Sequence, residues 1–415
     1  MYKKILLDNG IPVVIETSKD TQSVCIGIWV KVGARHEPAD KNGISHFFEH
    51  MVFKGTKKRT AREIAVEIDS IGGELNAFTS REGTTFYVKV LDEYIEKALD
   101  LLTDMFLNST FPEEDIEKEK GIIIEEIKMV EDTPDDYIHD IFCRNVWGKR
   151  GLGQTILGKE AVIKTFTRND LTNHIKKYYG KKDIVIACAG NLREKKVIDS
   201  LNQGIGRLKR HSDAKPEVPV KFTGGLHAVR KDLQETHICL GLKGLPQGSE
   251  ERYTMHLLNT ILGAGVSSRL FQEIREKRGL AYSIYSFNAA YYDTGLWAVY
   301  AGTDNRHAKE VINLITGEMR NLPSTITSDE LRRAKDQLKG NLILVLESTN
   351  NKMTNIARQE IYYGEYFPPQ KIIKAVEAVT LEEIKSLAER LTNDSPFAAT
   401  IYGPAKESSL KHLEL

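Results

Sequence analysis

Apolar positions along this chain alternate between two spacings, and each stretch predicts an element. Lys3 to Asp8 and Ile11 to Glu16 read as a hairpin around Asn9-Gly10, the dipeptide suited to a tight turn with left-handed backbone. Ser23 to Val32 is a long β-rich run, followed by a polar loop from Arg35 to Asn42. Gly43 to Phe53 is mostly apolar but holds His46, Glu49 and His50 at helical spacing, with Gly55 as the C-terminal stop. Thr60-Ala61-Arg62-Glu63 is a capping box, and Ile64, Ile68 and Ile71 continue it as a helix. Glu74 to Thr79 and Thr84 to Val90 read as strands. A helix with Ile95, Leu99, Leu102 and Phe106 in line comes next. Pro112 opens a long helix carrying Ile116, Glu119, Ile123, Glu126, Ile127 and Val130. A further helix is expected near Asp135 to Val146 and a central strand at Asp183 to Gly190.

The second half repeats the first. Thr236 to Leu242 resembles Ser23 to Trp29, a helix from Arg252 ends at Gly263, and a helix from Ser267 to Lys277 follows. Strands at Ala281 to Phe287 and Gly295 to Tyr300 complete the copy. Aligning Gly263 with Gly55 puts Thr254, Leu257 and Leu258 where His46, Glu49 and His50 stand. The second copy keeps the scaffold and has lost the polar residues, so the scaffold itself does not require them. Residues 205–225 are polar, with two prolines and no periodicity, and read as a linker between domains 1–204 and 226–415.

Composition narrows the setting. At 415 residues the chain is too long for one ordinary core. Lys+Arg and Asp+Glu are both 58, so no global field points to nucleic acid or a membrane surface. No apolar run reaches the length of a membrane span, and the N-terminus lacks the apolar core of a signal peptide. Cys25, Cys143, Cys188 and Cys239 form no CxxC pair and read as buried apolar residues of a reducing compartment. The expected location is cytoplasmic.

The chemistry concentrates in His46-Phe47-Phe48-Glu49-His50. On a helix the two imidazoles and the carboxylate share one face, while Ile44, Phe47, Phe48 and Met51 bury the rest. Burying that polar trio is costly unless something satisfies it. A divalent metal does so, and zinc accepts imidazole nitrogen readily. The order H-x-x-E-H inverts the H-E-x-x-H motif of zinc peptidases. In either direction two imidazoles hold the metal and the glutamate serves as general base. Glu119 and Glu126 lie two turns apart on one face of a helix whose middle is apolar nearly all round. Such carboxylates want a partner, which the histidine helix can supply; a solvated acidic stripe is the plainer alternative.

These residues resemble the pitrilysin, insulysin and mitochondrial processing peptidase family of inverted-motif zinc metallopeptidases, over essentially the whole chain. The resemblance is closest to half-length members of processing-peptidase type. It implies an α+β fold of two homologous domains, each a mixed, largely antiparallel sheet packed with helices. It implies His46, His50 and Glu126 as ligands of one Zn2+ per chain, Glu49 as general base and Glu119 as supporting acid. Gly72 to Thr79 resembles the family's edge strand, which takes substrate backbone by strand addition, with Asn76 and Ala77 nearest the scissile bond. Arg275 and Tyr282 match a pair that assists the tetrahedral intermediate. The glycine-rich substrate loop of the non-catalytic processing-peptidase subunit is present only in shortened form at Leu262 to Val266, which argues against presequence processing.

The function expected is a zinc endopeptidase for peptides or unfolded segments, working in a chamber closed by homodimerisation, since full-length relatives have four such domains. In that dimer the Arg275 and Tyr282 pair serves the other subunit's zinc site. The rival is a non-catalytic or partner-dependent subunit of a processing-peptidase-like heterodimer. The complete metal motif argues against a non-catalytic subunit, while a catalytic subunit active only with a non-catalytic homologue stays open.

Overall fold

The computed structural model describes residues 1–213 and 220–404. In the first half the elements are, in chain order, β1 (Tyr2–Leu6), β2 (Pro12–Thr17), β3 (Ser23–Val30), α1 (Ile44–Met51), α2 (Ala61–Ser70), β4 (Glu74–Thr79), β5 (Thr84–Leu91), α3 (Ile95–Asn108), α4 (Glu113–Glu131), α5 (Pro134–Trp147), α6 (Glu160–Ile163), α7 (Arg168–Tyr178), β6 (Ile184–Gly190) and α8 (Glu194–Gln203). The second half adds β7 (Gly225–Arg230), β8 (Thr236–Gly244), α9 (Arg252–Gly263), β9 (Ala281–Ala290), β10 (Gly295–Thr303), α10 (Ala308–Thr325), α11 (Ser328–Val345), α12 (Thr349–Tyr363), α13 (Pro369–Ala378), α14 (Leu381–Asp394) and β11 (Ala398–Gly403). The fold is α+β with two mixed, mainly antiparallel sheets, as the sequence leads one to expect.

The chain forms two compact units, and neither is continuous in sequence. Among the described residues, the first comprises 1–129, 150–213 and 345–366, and the second comprises 130–149, 220–344 and 367–404. The division therefore differs from the contiguous 1–204 and 226–415 by an exchange. Helix α5 of the first half belongs to the second unit, and α12 of the second half belongs to the first. Of the expected linker, residues 214–219 lie outside the described residues. Residues 205–213 are not a free tether: Ile205 is fully buried, Asn9 Nδ2 donates to the Ile205 carbonyl at 2.9 Å, and Asp213 N donates to the Lys177 carbonyl at 2.7 Å.

In the first unit the strand order is β1-β2-β6-β3-β5-β4, antiparallel except for β2 with β6. Strand alternation sends Val13, Ile15, Ile26, Ile28, Phe86 and Val88 to one face, under α1, α2, α3, α7 and α8. Val14, Cys25, Trp29, Tyr87, Val185 and Ala187 go to the other face, where Met353, Ile356 and Ala357 of α12 cover them. Strand β4 is the outer strand at one end of this sheet and, among the described residues, pairs only with β5.

The second unit repeats the plan, with order β7-β11-β8-β10-β9. Here α9, α10 and α14 cover one face, while α5 lies on β8 and β11. Helix α9 begins as many residues ahead of Gly263 as α1 begins ahead of Gly55. Its Leu257 and Leu258 are fully buried, and Thr254 is 6% exposed. The regular helix expected at Ser267 to Lys277 is instead a wide π-helical turn over Phe271–Glu276. All four cysteines are buried and none is in a disulfide. Among the described residues no helix is long and apolar enough to cross a membrane.

Candidate metal centre

The site begins with how α1 is held. Its N-cap is Gly43, in the left-handed region (φ 96°), with no side chain of its own to cap the helix. A Cβ there would stand 2.7 Å from the Leu157 carbonyl oxygen and 2.8 Å from Gly158 Cα, so the neighbouring loop requires glycine. The capping is done from upstream by Glu37, which is 4% exposed. Its Oε2 accepts from Gly43 N at 2.6 Å and Asn42 Nδ2 at 3.0 Å, and its Oε1 accepts from Ser45 N at 2.8 Å. A carboxylate at this helix end also meets the positive pole of the backbone dipoles. Burial pushes the Glu37 carboxyl up from its ordinary value, and these hydrogen bonds oppose that push.

With its start fixed and Ile44, Phe47, Phe48 and Met51 buried, α1 turns His46, Glu49 and His50 toward α4 and β4. His46 Nε2 and His50 Nε2 each lie 3.6 Å from Glu126 Oε2. These distances are too long for hydrogen bonds. Ligands at about 2.0–2.1 Å around a tetrahedral zinc stand roughly 3.3–3.5 Å apart, which these donor atoms nearly match. His46, His50 and Glu126 form the only such group of His, Cys, Asp and Glu among the described residues, with all ligand atoms within 4.8 Å of one another. Glu126 Oε2 is buried and has no hydrogen-bond partner among the described residues. Burial pushes the His46 imidazole down to about 3, with the His50 charge adding to the effect, and burial also raises the Glu126 carboxyl. The protein by itself thus favours a neutral imidazole and leaves a carboxylate lacking a counter-charge. A divalent cation fits both. Glu125, the neighbouring carboxylate, is 73% exposed and pairs with Lys128.

Two further carboxylates complete the cluster. Glu119 is 3% exposed. Its Oε2 lies 2.9 Å from His50 Nδ1, and its Oε1 lies 2.5 Å from Lys54 Nζ. Burial alone would push this carboxyl up, but the hydrogen bonds from His50 and Lys54 outweigh it and hold Glu119 below its usual value. Glu49 Oε2 accepts from the Thr79 hydroxyl at 2.6 Å. Burial raises the Glu49 carboxyl, with the Thr79 bond and the His50 charge acting the other way.

The remaining residues singled out from the sequence fall in two places. Asn76 and Ala77 lie on β4, and Ala77 N donates to Asn76 Oδ1 at 2.8 Å. Arg275 and Tyr282 belong to the second unit. There the guanidinium sits 5.2 Å from the Tyr282 ring centroid and 4.8 Å from that of Phe271, a cation–π arrangement. Tyr282 is 79% exposed. Sequence reasoning missed Lys54, Thr79 and Glu37. Lys54 had a legible signal, standing four residues beyond His50. The other two had none that local spacing carries.

Comparison with known proteins identifies the lineage. Residues 12–160 match the family described as Insulinase (Peptidase family M16), and residues 165–338 match the Peptidase M16 inactive domain. An uncharacterized zinc protease of Bacillus subtilis, YmxG, is 41% identical over 98% of this chain and 99% of its own. The chain belongs to peptidase family M16. Uncharacterized zinc proteases of Streptomyces coelicolor and Rickettsia felis are 36% and 37% identical, covering 99% and 96% of this chain and 91% and 96% of theirs. The M16 fold is shared with a protease from Helicobacter pylori (TM-score 0.89, 23% identity, 97% of this chain and 99% of that one). It is also shared with an M16 inactive-domain protein from Pseudomonas fluorescens (TM-score 0.91, 19% identity, 98% of each chain). At those identities the likeness is one of fold. The inactive-domain match agrees with the second copy's apolar Leu257 and Leu258.

Proposed function

We propose that this M16 chain is a zinc-dependent endopeptidase acting on peptides or unfolded segments. The observation that carries the reading is the convergence of His46, His50 and Glu126 on one point, with Glu49 beside them and hydrogen-bonded to the end of the outer strand β4. His46 Nε2, His50 Nε2 and a Glu126 oxygen would hold the metal. Zinc bound there supplies a Lewis acid that polarises the scissile carbonyl and lowers the pKa of water.

The protein's own groups do the rest. Glu119 is ionised and can only accept, so His50 Nδ1 carries the proton and Nε2 keeps its lone pair for the metal. Glu49 takes the proton from the attacking water and returns it to the leaving amine. Strand β4 receives the peptide as an added strand, with Asn76 and Ala77 beside the scissile bond, because an unpaired sheet edge offers N–H and C=O groups to extended backbone. Folded substrates cannot present such a strand. Arg275 and Tyr282 supply a cation and a phenol for the developing oxyanion, acting from the other subunit of a homodimer that encloses the peptide.

The test compares wild type with Glu49→Gln for zinc content and cleavage of a quenched-fluorescence peptide library. Zinc in both and cleavage only by wild type is the expected result. A wild type without zinc overturns the ligand assignment. Zinc in both with cleavage by neither favours a partner-dependent or scaffold subunit.

A further inference from the structure

We propose that Thr79 is the positioning residue of the general base, tying the orientation of Glu49 to the strand that receives substrate. The inference rests on the peptidase reading of Glu49 given above.

Glu49 reaches into the site on a flexible side chain, and a carboxylate left to rotate would offer either oxygen in many directions. The Thr79 hydroxyl removes that freedom by donating to Oε2 at 2.6 Å, which leaves Oε1 as the oxygen free to take a proton. Threonine suits the task because branching at Cβ restricts its χ1, so the hydroxyl direction is set by the backbone. That backbone is itself fixed. Thr79 pairs with Thr84 at the end of the β4–β5 ladder. The turn beyond is closed by Ser80, whose N donates to the Gly83 carbonyl at 2.8 Å and whose Oγ accepts from Gly83 N at 3.0 Å.

Position along the strand gives the bond its second meaning. Leu75, Ala77 and Thr79 are partly buried on one face of β4, while Glu74, Asn76 and Phe78 are exposed on the other. Thr79 therefore points to the same side as Ala77, two residues further along. A peptide added to the free edge takes its register from the β4 backbone, and the base takes its orientation from the same strand. Misplacing a reacting group by about an ångström can cost roughly a hundredfold in rate. A shared anchor keeps the two in step.

The experiment compares Thr79→Val, which keeps the shape and removes the hydroxyl, with Thr79→Ser, which keeps the hydroxyl. For each, kcat and KM on a quenched-fluorescence peptide, zinc affinity by chelator competition and the thermal midpoint are measured. Peptide affinity is also compared between Glu49→Gln and Glu49→Gln/Thr79→Val. The expected result is a fall in kcat of about 10- to 100-fold for Thr79→Val. KM, zinc affinity and peptide affinity should stay within about twofold. Thr79→Ser should recover kcat to within several-fold even if the valine variant folds poorly. Wild-type kcat in Thr79→Val overturns the proposal. So does an equal loss in zinc or peptide affinity, which makes Thr79 a structural residue, or a serine variant as slow as valine. Those outcomes leave the peptidase reading standing; a wild type that cleaves nothing overturns both.

Discussion

Glu119 Oε2 accepts a hydrogen bond from His50 Nδ1 over 2.9 Å, so this buried carboxylate decides which nitrogen of the imidazole is left for a metal. Lys54, one turn beyond His50, holds the other oxygen at 2.5 Å. A carboxylate–histidine pair of this kind fixes both tautomer and ring orientation, and losing it usually weakens metal binding by about 10- to 100-fold. Glu119→Gln is expected to lower zinc affinity by that order, measured by chelator competition. Lys54→Met should produce a smaller loss of the same kind. If Lys54 acts through Glu119, the double variant binds zinc no more weakly than Glu119→Gln alone. Fully additive losses would show that the lysine acts independently.

Glu37 makes a different prediction, because two of its three donors are backbone amides. Gly43 N and Ser45 N both donate to it inside the protein, away from solvent. Glu37→Gln replaces one acceptor oxygen with an NH2 group facing donors. A buried donor left unsatisfied costs about 1–3 kcal/mol. Urea unfolding of the zinc-stripped variant should therefore show a loss of about 1–3 kcal/mol. The midpoint should fall with little change in slope. An unchanged midpoint would mean that α1 starts equally well without this anchor.

How much of this was legible in sequence depends on how local each feature is. The Thr60 capping box and the buried stripe of α1 are set by residues a few positions apart, and the structure has them. The first hairpin is present too, but its turn lies one residue earlier than Asn9-Gly10: Gly10 N donates to the Leu7 carbonyl at 2.8 Å, and only Gly10 takes a positive φ. The choice of Glu126 over Glu125 follows from about 100° of rotation per helical residue, which sends Glu125 outward to Lys128. The exchange of α5 and α12 between the two units was not legible. Buried Ile138, Ile141, Phe142 and Val146 announce that α5 packs on something, yet periodicity cannot name the sheet. Glu37 was hidden for a related reason: a cap reaching from six residues upstream leaves no mark in the helix pattern. The π-helical turn at Phe271–Glu276 replaces a helix that spacing made regular, because the buried pair Leu270 and Ile274 stands four residues apart, a spacing that suits either helix.

Placing Arg275 across a dimer gives a complementation test. Glu49→Gln lacks the base but keeps Arg275; Arg275→Ala lacks the cation but keeps the base. Mixed subunits that exchange should form heterodimers with one site carrying both intact groups. Activity should then rise above either parent toward about one quarter of wild type for random mixing at equal amounts, since half the dimers are mixed and each holds one intact site. Peptide turnover against mixing ratio, with subunit exchange followed by mass, checks it. Exchange without recovered activity would place Arg275 in its own subunit's site or outside catalysis.

His174 supplies the pH prediction. It is 5% exposed, rings of Tyr178 and Tyr179 flank it at 5.2 and 5.5 Å between centroids, and Nε2 lies 3.4 Å from Ser45 Oγ. Burial pushes its imidazole down from 6.5 to about 3, with the Lys177 charge adding to the effect. The folded state therefore holds His174 neutral while the unfolded chain protonates it below 6.5, so unfolding takes up a proton in that window. The contribution is fully present above pH 6.5 and is lost as the pH falls toward about 3, at up to about 1.4 kcal/mol per unit. His174→Gln removes this titration. Zinc-stripped wild type and variant, unfolded by urea from pH 7.5 down to 4.5, should differ in slope, with wild type losing about 2–3 kcal/mol more over that range. Using the metal-free protein keeps ligand protonation at His46 and His50 common to both, so the difference isolates one buried imidazole. Parallel curves would mean that His174 either stays neutral when unfolded or is charged in the folded core, and the first is excluded by the ordinary behaviour of exposed histidine.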